Sequence, residues 1–411
     1  MLRAFLNSEE GNYAAIFAIA IIPIMAGVAG AVDFVSISMK GVKLQNMLDA
    51  TALAIGTKYY SGMTKDEIEA FGREFFLANM YGGPKDDVEF DFSDDVQEFA
   101  ADETSDGSSK LISATSTIDH EGFFGGFSSN WRTNRRSYVR VAPGQPACVL
   151  ALDPHASSSV KIQGSTQVTL TGCVIASNSD ASDSIYRGGT AKLAAKCVLT
   201  SGGTVGVESN SNASLDCDAP LENQYPSLDP LADVNPPPYT TCRSMPGGKT
   251  KTLSPGTYCN KTWSGDITLE PGIYILRGGQ IKLGGNGRLV GHGVTIFLMD
   301  GAEFQSNANE VVQLSPSDDE PYAGITIYQE RGNTSPLTIN GGSGSDFSGF
   351  IYAPSAHVSY AGNASMSGAG DCIRIVGKTI EMAGNSNVSA DCEAQLGGRE
   401  MNAGRKLSLV R

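Results

Sequence analysis

The first 147 residues contain no cysteine, and the whole chain has only four histidines and two tryptophans. Charged residues are scarce at 18%, which separates the chain from charge-rich helical enzymes and places it among turn-rich β proteins. The net charge of −14 comes without a clustered basic face, which argues against a nucleic-acid partner. H-E-x-x-H, G-x-S-x-G, P-loop and dinucleotide fingerprints are all missing. Asp153, Asp266, Asp300 and Asp346 are the carboxylates from which a glycosidase-type pair could be assembled. Isolated Asp in Gly-rich sequence is more often turn chemistry. Asp318, Asp319 and Glu320 form an acidic cluster, but the nonapeptide calcium repeat is absent. No catalytic, cofactor-binding or metal-ligating residue is therefore expected, and the chain reads as a non-enzyme.

The eight cysteines that do occur are Cys148, Cys173, Cys197, Cys217, Cys242, Cys259, Cys372 and Cys392. An even number, well separated and without a C-x-x-C pair, reads as disulfides rather than a zinc site. Buried reduced thiols are the alternative. Connectivity stays open, with local pairs such as Cys148–Cys173 and Cys372–Cys392 among the possibilities.

Between Gly11 and Val32 no residue is charged. The twenty residues from Tyr13 to Val32, as a helix, cover about 30 Å, the thickness of a bilayer's hydrocarbon core. Their strongly apolar side chains contribute roughly −2 to −5 kcal/mol to insertion. Pro23 is tolerated in such a helix, and Ala26 and Gly30, four apart, permit close helix packing. A cleaved signal is the rival reading, but Glu9 and Glu10 stand where a basic n-region belongs. Lys40 and Lys43 follow the span and give a weak or contrary orientation signal. The cysteines decide for an outside C-terminus, since disulfides need an oxidising compartment.

Past the span, Ile37, Leu44, Leu48, Ala52 and Ile55 share one helical face. A further helix begins at Thr64, where T-x-x-E makes a capping box, and stops before Gly82-Gly83-Pro84. Val88/Phe90/Phe92, residues 111–118 and residues 138–141 alternate as short strands, giving a small α+β unit. Trp131 with Arg132, Arg135 and Arg136 reads as a solvated basic turn.

From Cys148 onward, apolar pairs recur at alternate positions, as in Ile267/Leu269, Ile273/Ile275 and Ile380/Met382. Gly-Asn, Gly-Gly and Ser-Gly turns separate them. Gly362-Asn-Ala-Ser-Met-Ser returns 22 residues on as Gly384-Asn-Ser-Asn-Val-Ser, with a looser echo at Gly164. A period near 20 predicts a parallel β-solenoid, with a β-sandwich as the alternative. Six prolines between Pro220 and Pro238 force an extended excursion.

Two stretches carry a family resemblance. Glu10-Gly-Asn-Tyr-Ala-Ala-Ile-Phe, Ala31-Val-Asp-Phe and Leu44-Gln-Asn-Met-Leu-Asp-Ala-Thr-Ala-Leu-Ala resemble the N-terminal region of TadE/TadG-type Flp (Tad, tight adherence) pilus-assembly proteins. Cys148-Val-Leu-Ala-Leu-Asp-Pro, Pro255-Gly-Thr-Tyr-Cys, Pro271-Gly-Ile-Tyr-Ile-Leu and Phe350-Ile-Tyr-Ala-Pro resemble the body of TadG-like members. The resemblance implies an envelope protein that assists assembly or anchoring of Flp pili and so adhesion. Its implied partners are the membrane and other pilus components, with a homo-oligomer possible. A TadG-like chain without the von Willebrand type A domain of some members is expected: that domain's metal site needs Asp-x-Ser-x-Ser, which is read as missing here, so no metal-dependent adhesion site is carried over. Prepilin-type cleavage is not expected either, because Ile16 stands five residues after Gly11 where a Glu belongs.

The expected architecture is mainly β. Residues 1–58 form the anchor, with a transmembrane helix at about 12–32 and an extracytoplasmic amphipathic helix at 34–58. Residues 59–145 form the α+β unit, 146–396 the solenoid with its excursion at 219–238, and 397–411 a flexible tail. The expected location is a bacterial inner membrane, with the body periplasmic or at the cell surface. A surface adhesin or carbohydrate-binding solenoid is the alternative function, and a polysaccharide-active enzyme the third.

Overall fold

A computed structural model describes residues 12–58, 64–79, 88–93, 110–120, 131–208, 210, 212–239, 241–340, 344–362, 372–389 and 399–410. The chain divides into two compact units: 1–142 with 406–411, and 143–405.

The first unit is built on one helix, α1 (Asn12–Lys58), which runs through Pro23 without a break. The apolar span and the amphipathic stretch are thus one rod. Leu44, Leu48, Ala52 and Ile55 are buried, as their common face requires. They pack with Ile68 and Phe76 of α2 (Lys65–Asn79) and with Ile112, Ala114, Val139 and Val141. The capping box is present: the Thr64 amide donates to Glu67 (2.8 Å), and the Glu67 amide donates to the Thr64 hydroxyl (3.4 Å). The strands are antiparallel: β1 (Val88–Ser93) pairs with β2 (Lys110–His120), and β2 with the first half of β3 (Trp131–Ala151). The helix and the α+β segment, read separately from sequence, share one core. The expected flexible tail at 397–411 is corrected: Asn402–Val410 is a strand, and Met401 and Ala403 are buried. Alternation in Leu407/Leu409 was too short a signal to separate a strand from a tail.

The second unit is a parallel solenoid with three faces. Following chain direction, each coil visits the same three faces in turn, as in Gly272–Arg277, Gly279–Ile281 and Arg288–Gly291. Most interior positions are aliphatic and stack between coils: Ile296 on Ile327, Ile351 on Ile375, Ile375 on Val149, Val149 on Ile175. The 22-residue echo is one full coil, since Gly362 pairs with Gly384 in register. Corners demand glycine: Gly279 has φ +76°, and a Cβ there would collide with the Lys261 carbonyl of the coil beneath.

The coils do not stack in chain order. The segments 147–171, 174–195 and 198–215 stack upward in sequence. The chain then returns to the other end, and 256–263, 272–281, 294–305, 325–340, 349–362 and 373–389 stack upward until the last meets the first. At this seam Ile375–Gly377 pairs with Val149–Ala151, Ile380–Met382 with Val160–Ile162, and Asn385–Ser389 with Gln167–Thr171. All three faces are therefore continuous across a junction with no direct covalent link.

The Pro-rich excursion is the strap that makes this possible. Nine coils about 4.8 Å apart span roughly 38 Å, well within reach of some 20 extended residues at about 3.1 Å each. The strap crosses the outside of the first face. Ser227 exchanges two hydrogen bonds with Asn178 (2.7 and 2.8 Å), and the Tyr352 hydroxyl donates to Asp229 (2.7 Å). Tyr328 and Tyr322 donate to the carbonyls of Val234 and Asn235 (2.9 and 3.0 Å). Leu231 and Val234 are buried against Phe297, Tyr322, Tyr328, Phe350 and Tyr352. Strands of this face are thus covered on both sides: every residue of Val294–Met299 and of Ile325–Gln329 is buried.

A protease site inserted after Pro237 tests this topology. None of the three described disulfides bridges the cut. The two fragments are expected to co-migrate on a native column without reductant and to part only in denaturant. A sequentially stacked solenoid, lacking the seam, would hold them far less well.

Candidate functional site

The described features that bear on function are the apolar half of α1, a groove beside its second half, and the polar corners of the solenoid. Ile16, Phe17, Ile19, Ile22, Ile24, Met25 and Val28 are all more than half exposed, and the exposed run continues to Met39 and Val42. Side chains of this kind do not stay in water at such density. This is the one helix among the described residues long and apolar enough to cross a membrane, with a mean hydropathy of 2.2 in its most apolar window. Pro23, Ala26 and Gly30 lie inside it, and nothing stands within 4 Å of a Cβ built on Gly30. The change from exposed to packed falls at Gly41, the first buried residue after Ile16 in α1.

Immediately beyond lies an open groove of about 530 Å³ lined by Gly41, Gln45, Asp49, Arg135, Arg136 and Tyr138, among others. Gln45 donates to Asp49 (2.8 Å) and to the Arg136 carbonyl (3.2 Å), and Arg136 donates to Thr115 (2.9 Å). The basic residues expected on a turn are on a strand instead, and Arg132 pairs with Asp119 at 2.8 Å. Their spacing of one and three residues obscured which of them share a face.

Cysteines cluster at the solenoid's structural joints. Cys148–Cys173 ties the first coil to the second, and Cys197–Cys217 ties the top coil to the start of the strap. Cys242–Cys259 ties the end of the strap to the bottom coil. Cys372 is also disulfide-bonded; Cys392, its candidate partner from sequence, lies outside the described residues. At the seam, the Arg374 side chain donates to the Cys148 sulfur (3.1 Å), and burial pushes its guanidinium down to about 10.

The four candidate carboxylates are dispersed. Asp153 and Asp300 stand at corners four coils apart, about 19 Å at 4.8 Å per coil. Asp266 and Asp346 are separated by three coils, about 14 Å, on another face. Glycosidase pairs need about 5 to 9.5 Å. Asp300 instead pairs with Arg277 (2.6 Å), and Asp153 accepts the amides of His155 and Ala156, a turn function. His292 and His357 bond Ser315 and Thr379 of neighbouring coils. Glu320 of the acidic cluster lies 3.9 Å from Arg399. Among the described residues no group of three or more His, Cys, Asp or Glu is placed to hold a metal.

One motif needs correction. Asp180-Ala-Ser182-Asp-Ser184 does read Asp-x-Ser-x-Ser, the pattern of the metal-dependent adhesion site. Here it forms a solenoid corner whose side chains diverge. Asp180 faces His155 at 3.0 Å, whereas the Ser184 hydroxyl points inward to Ser177 (2.7 Å) and Thr200 (2.8 Å).

The Asp180 carboxylate raises the His155 pKa above its ordinary value, through a hydrogen bond and charge attraction. The attraction is complete below the ordinary histidine pKa and is lost as pH rises through the raised one. In Asp180→Asn, the His155 ring resonances are expected to titrate at a lower pH than in the parent. An unchanged midpoint would contradict the pairing.

The fold and these features define a class: a strapped, disulfide-bearing parallel solenoid carried behind an apolar helix. Residues 11–55 match the family model described as putative Flp pilus-assembly TadE/G-like, so the chain carries a TadE/G-like segment on its long N-terminal helix. Residues 227–396 match a domain of unknown function (DUF7305), a stretch that takes in the second half of the strap and the six coils that follow it. No curated protein and no solved structure matches the chain.

Proposed function

We propose that this chain is a non-enzymatic, single-pass protein of the bacterial inner membrane that assists assembly or anchoring of Flp pili, and through them surface adhesion. The observation that carries the reading is the TadE/G-like match lying on the helix whose apolar half is exposed. The disulfides support a body on the oxidising side of the membrane, periplasmic or carried to the surface. The dispersal of the candidate carboxylates supports a scaffold role over catalysis. A solenoid offers a scaffold long, regular side-chain ladders and a rigid spacing between contact points.

The test is to delete the chain in its own host and count Flp pili by electron microscopy. Pili are expected to be lost or unanchored, to return with the full chain, and not to return with a chain lacking residues 12–32. Normal pili alongside lost binding to glycans would refute the assembly role and favour the adhesin reading.

A further inference from the structure

The exposed apolar side of α1 continues past the length that a hydrocarbon core needs. Val35, Met39 and Val42, four and three apart, lie on one helical face, and each is more than half exposed. From Asn12 to Gly41 the helix is about 44 Å long at 1.5 Å per residue. A bilayer with both headgroup layers is roughly 40–45 Å thick. Gly41 therefore emerges level with the headgroups on the side of the body, and the groove opens there.

The groove is amphipathic. Val42 on α1, with half-buried Leu409 and Val410 of the C-terminal strand, gives it an apolar wall. Arg135 and Arg136, both exposed, give it a basic rim. They are set there because β3 runs beside α1 in the same direction. The Arg135 guanidinium lies 3.1 Å from where a Cβ on Gly41 would stand, and Val139 lies 3.5 Å from the same place on Gly56. Exposed Lys43 borders the apolar track beside Met39 on the helical wheel. Among the described residues, Lys43 and Arg135 pair with no carboxylate; Arg135 donates to the carbonyl of its neighbour Asn134 (3.0 Å). Two carboxylates of α1 are close in sequence. Asp33 is turned to the far side of the helix from Val42. Asp49 lines the groove but is buried, accepts from Gln45, and stands about two turns further from the membrane than Gly41. The end of the groove nearest the bilayer is thus cationic above and apolar below.

We propose that this groove holds an anionic phospholipid of the chain's own membrane. Its phosphate rests on Arg135 and Arg136, with Lys43 alongside, and its acyl chains run down Val42, Met39 and Val35 into the bilayer. Charge complementarity and the unbroken apolar track from the span into the groove select this occupant over a soluble anion, which has no use for the track. The inference rests on α1 as the membrane span and not on the pilus role.

The experiment reconstitutes the full chain in phosphatidylcholine vesicles carrying a trace of acyl-chain spin-labelled phosphatidylglycerol or spin-labelled phosphatidylcholine. Electron paramagnetic resonance then reads the fraction of each label held by the protein. The parent is expected to prefer phosphatidylglycerol about tenfold or more, since each basic residue at the surface is worth about fivefold. Arg135→Gln/Arg136→Gln is expected to bring the preference close to one. Val42→Ser is expected to reduce the held fraction of phosphatidylglycerol with the arginines intact. Lys40→Gln is the control: Lys40 is exposed at the same depth but turned about 160° from Val42, so the preference is expected to survive. Circular dichroism checks that each variant remains folded. A parent in the vesicles without the preference overturns the proposal and leaves the anchor standing. So does a preference that Lys40→Gln lowers as much as the arginine pair does, which is diffuse surface charge, or one that soluble glycerophosphate abolishes, which is a phosphate site alone. A chain that never enters the vesicles removes the anchor reading and the proposal with it.

Discussion

A chain carrying Ile19→Arg and Ile22→Arg is expected to appear in the soluble fraction rather than with membranes. Both residues lie in the exposed half of α1, at 74% and 68% exposure, so neither change disturbs the protein's own core. Each arginine near the centre of a span costs about 2.5–3.5 kcal/mol, and each lost isoleucine removes a few tenths more. The pair therefore costs about 6–8 kcal/mol, against a favourable sum of roughly 2–5 kcal/mol from the apolar residues. The sign of insertion reverses. Membrane pelleting after carbonate extraction reads the result. Retention of the doubly substituted chain would mean that some other element holds it.

Trp263→Ala is expected to destabilise the solenoid by about 3–5 kcal/mol, the range for removing a fully buried large aromatic. Trp263 has no measurable exposure and stands edge-on to Tyr258 (5.6 Å) and Tyr274 (6.0 Å) in the bottom coils. Both tyrosines are fixed at their far ends, Tyr258 by the Ser254 carbonyl and Tyr274 by those of Leu253 and Glu270. Neither can swing in to fill the void. Burial also raises both phenol pKa values, so they remain neutral donors across the working range. Among the described residues the indole nitrogen has no hydrogen-bond partner, so Trp263→Phe loses packing but no hydrogen bond and is expected to cost about 1–2 kcal/mol. Urea unfolding of the two variants checks the order. Hydrogen exchange is expected to rise first in 250–281, because a solenoid transmits damage to adjacent coils before distant ones.

The local rules were legible in the sequence. The capping box, the common face of Leu44, Leu48, Ala52 and Ile55, and the alternation of Ile267/Leu269 each specify an element through contacts nearby in sequence. The Gly362/Gly384 echo correctly marks one coil, because corner geometry repeats with the coil. The order of stacking was not legible. Nothing local distinguishes Val149 resting on Ile375 from Val149 resting only on Ile175, since these interior positions all ask for the same aliphatic shape. The strap's role was half visible: six prolines announced an extended segment, but Leu231 and Val234 among them were the signal that it is covered. Their partners Tyr328 and Tyr352 sit at outward positions of the first-face strands, where an uncovered face would carry polar residues. Asp180-Ala-Ser-Asp-Ser is the opposite lesson, a motif whose side chains diverge once the backbone turns a solenoid corner.

The central claim is a membrane-held chain whose solenoid is exposed to an oxidising compartment. Alkylation of thiols in intact cells, before and after dithiothreitol, tests it most directly. The account predicts that all eight cysteines between Cys148 and Cys392 resist modification until reduced, then react. Thiols that react without reductant would place the body in the cytoplasm and contradict it.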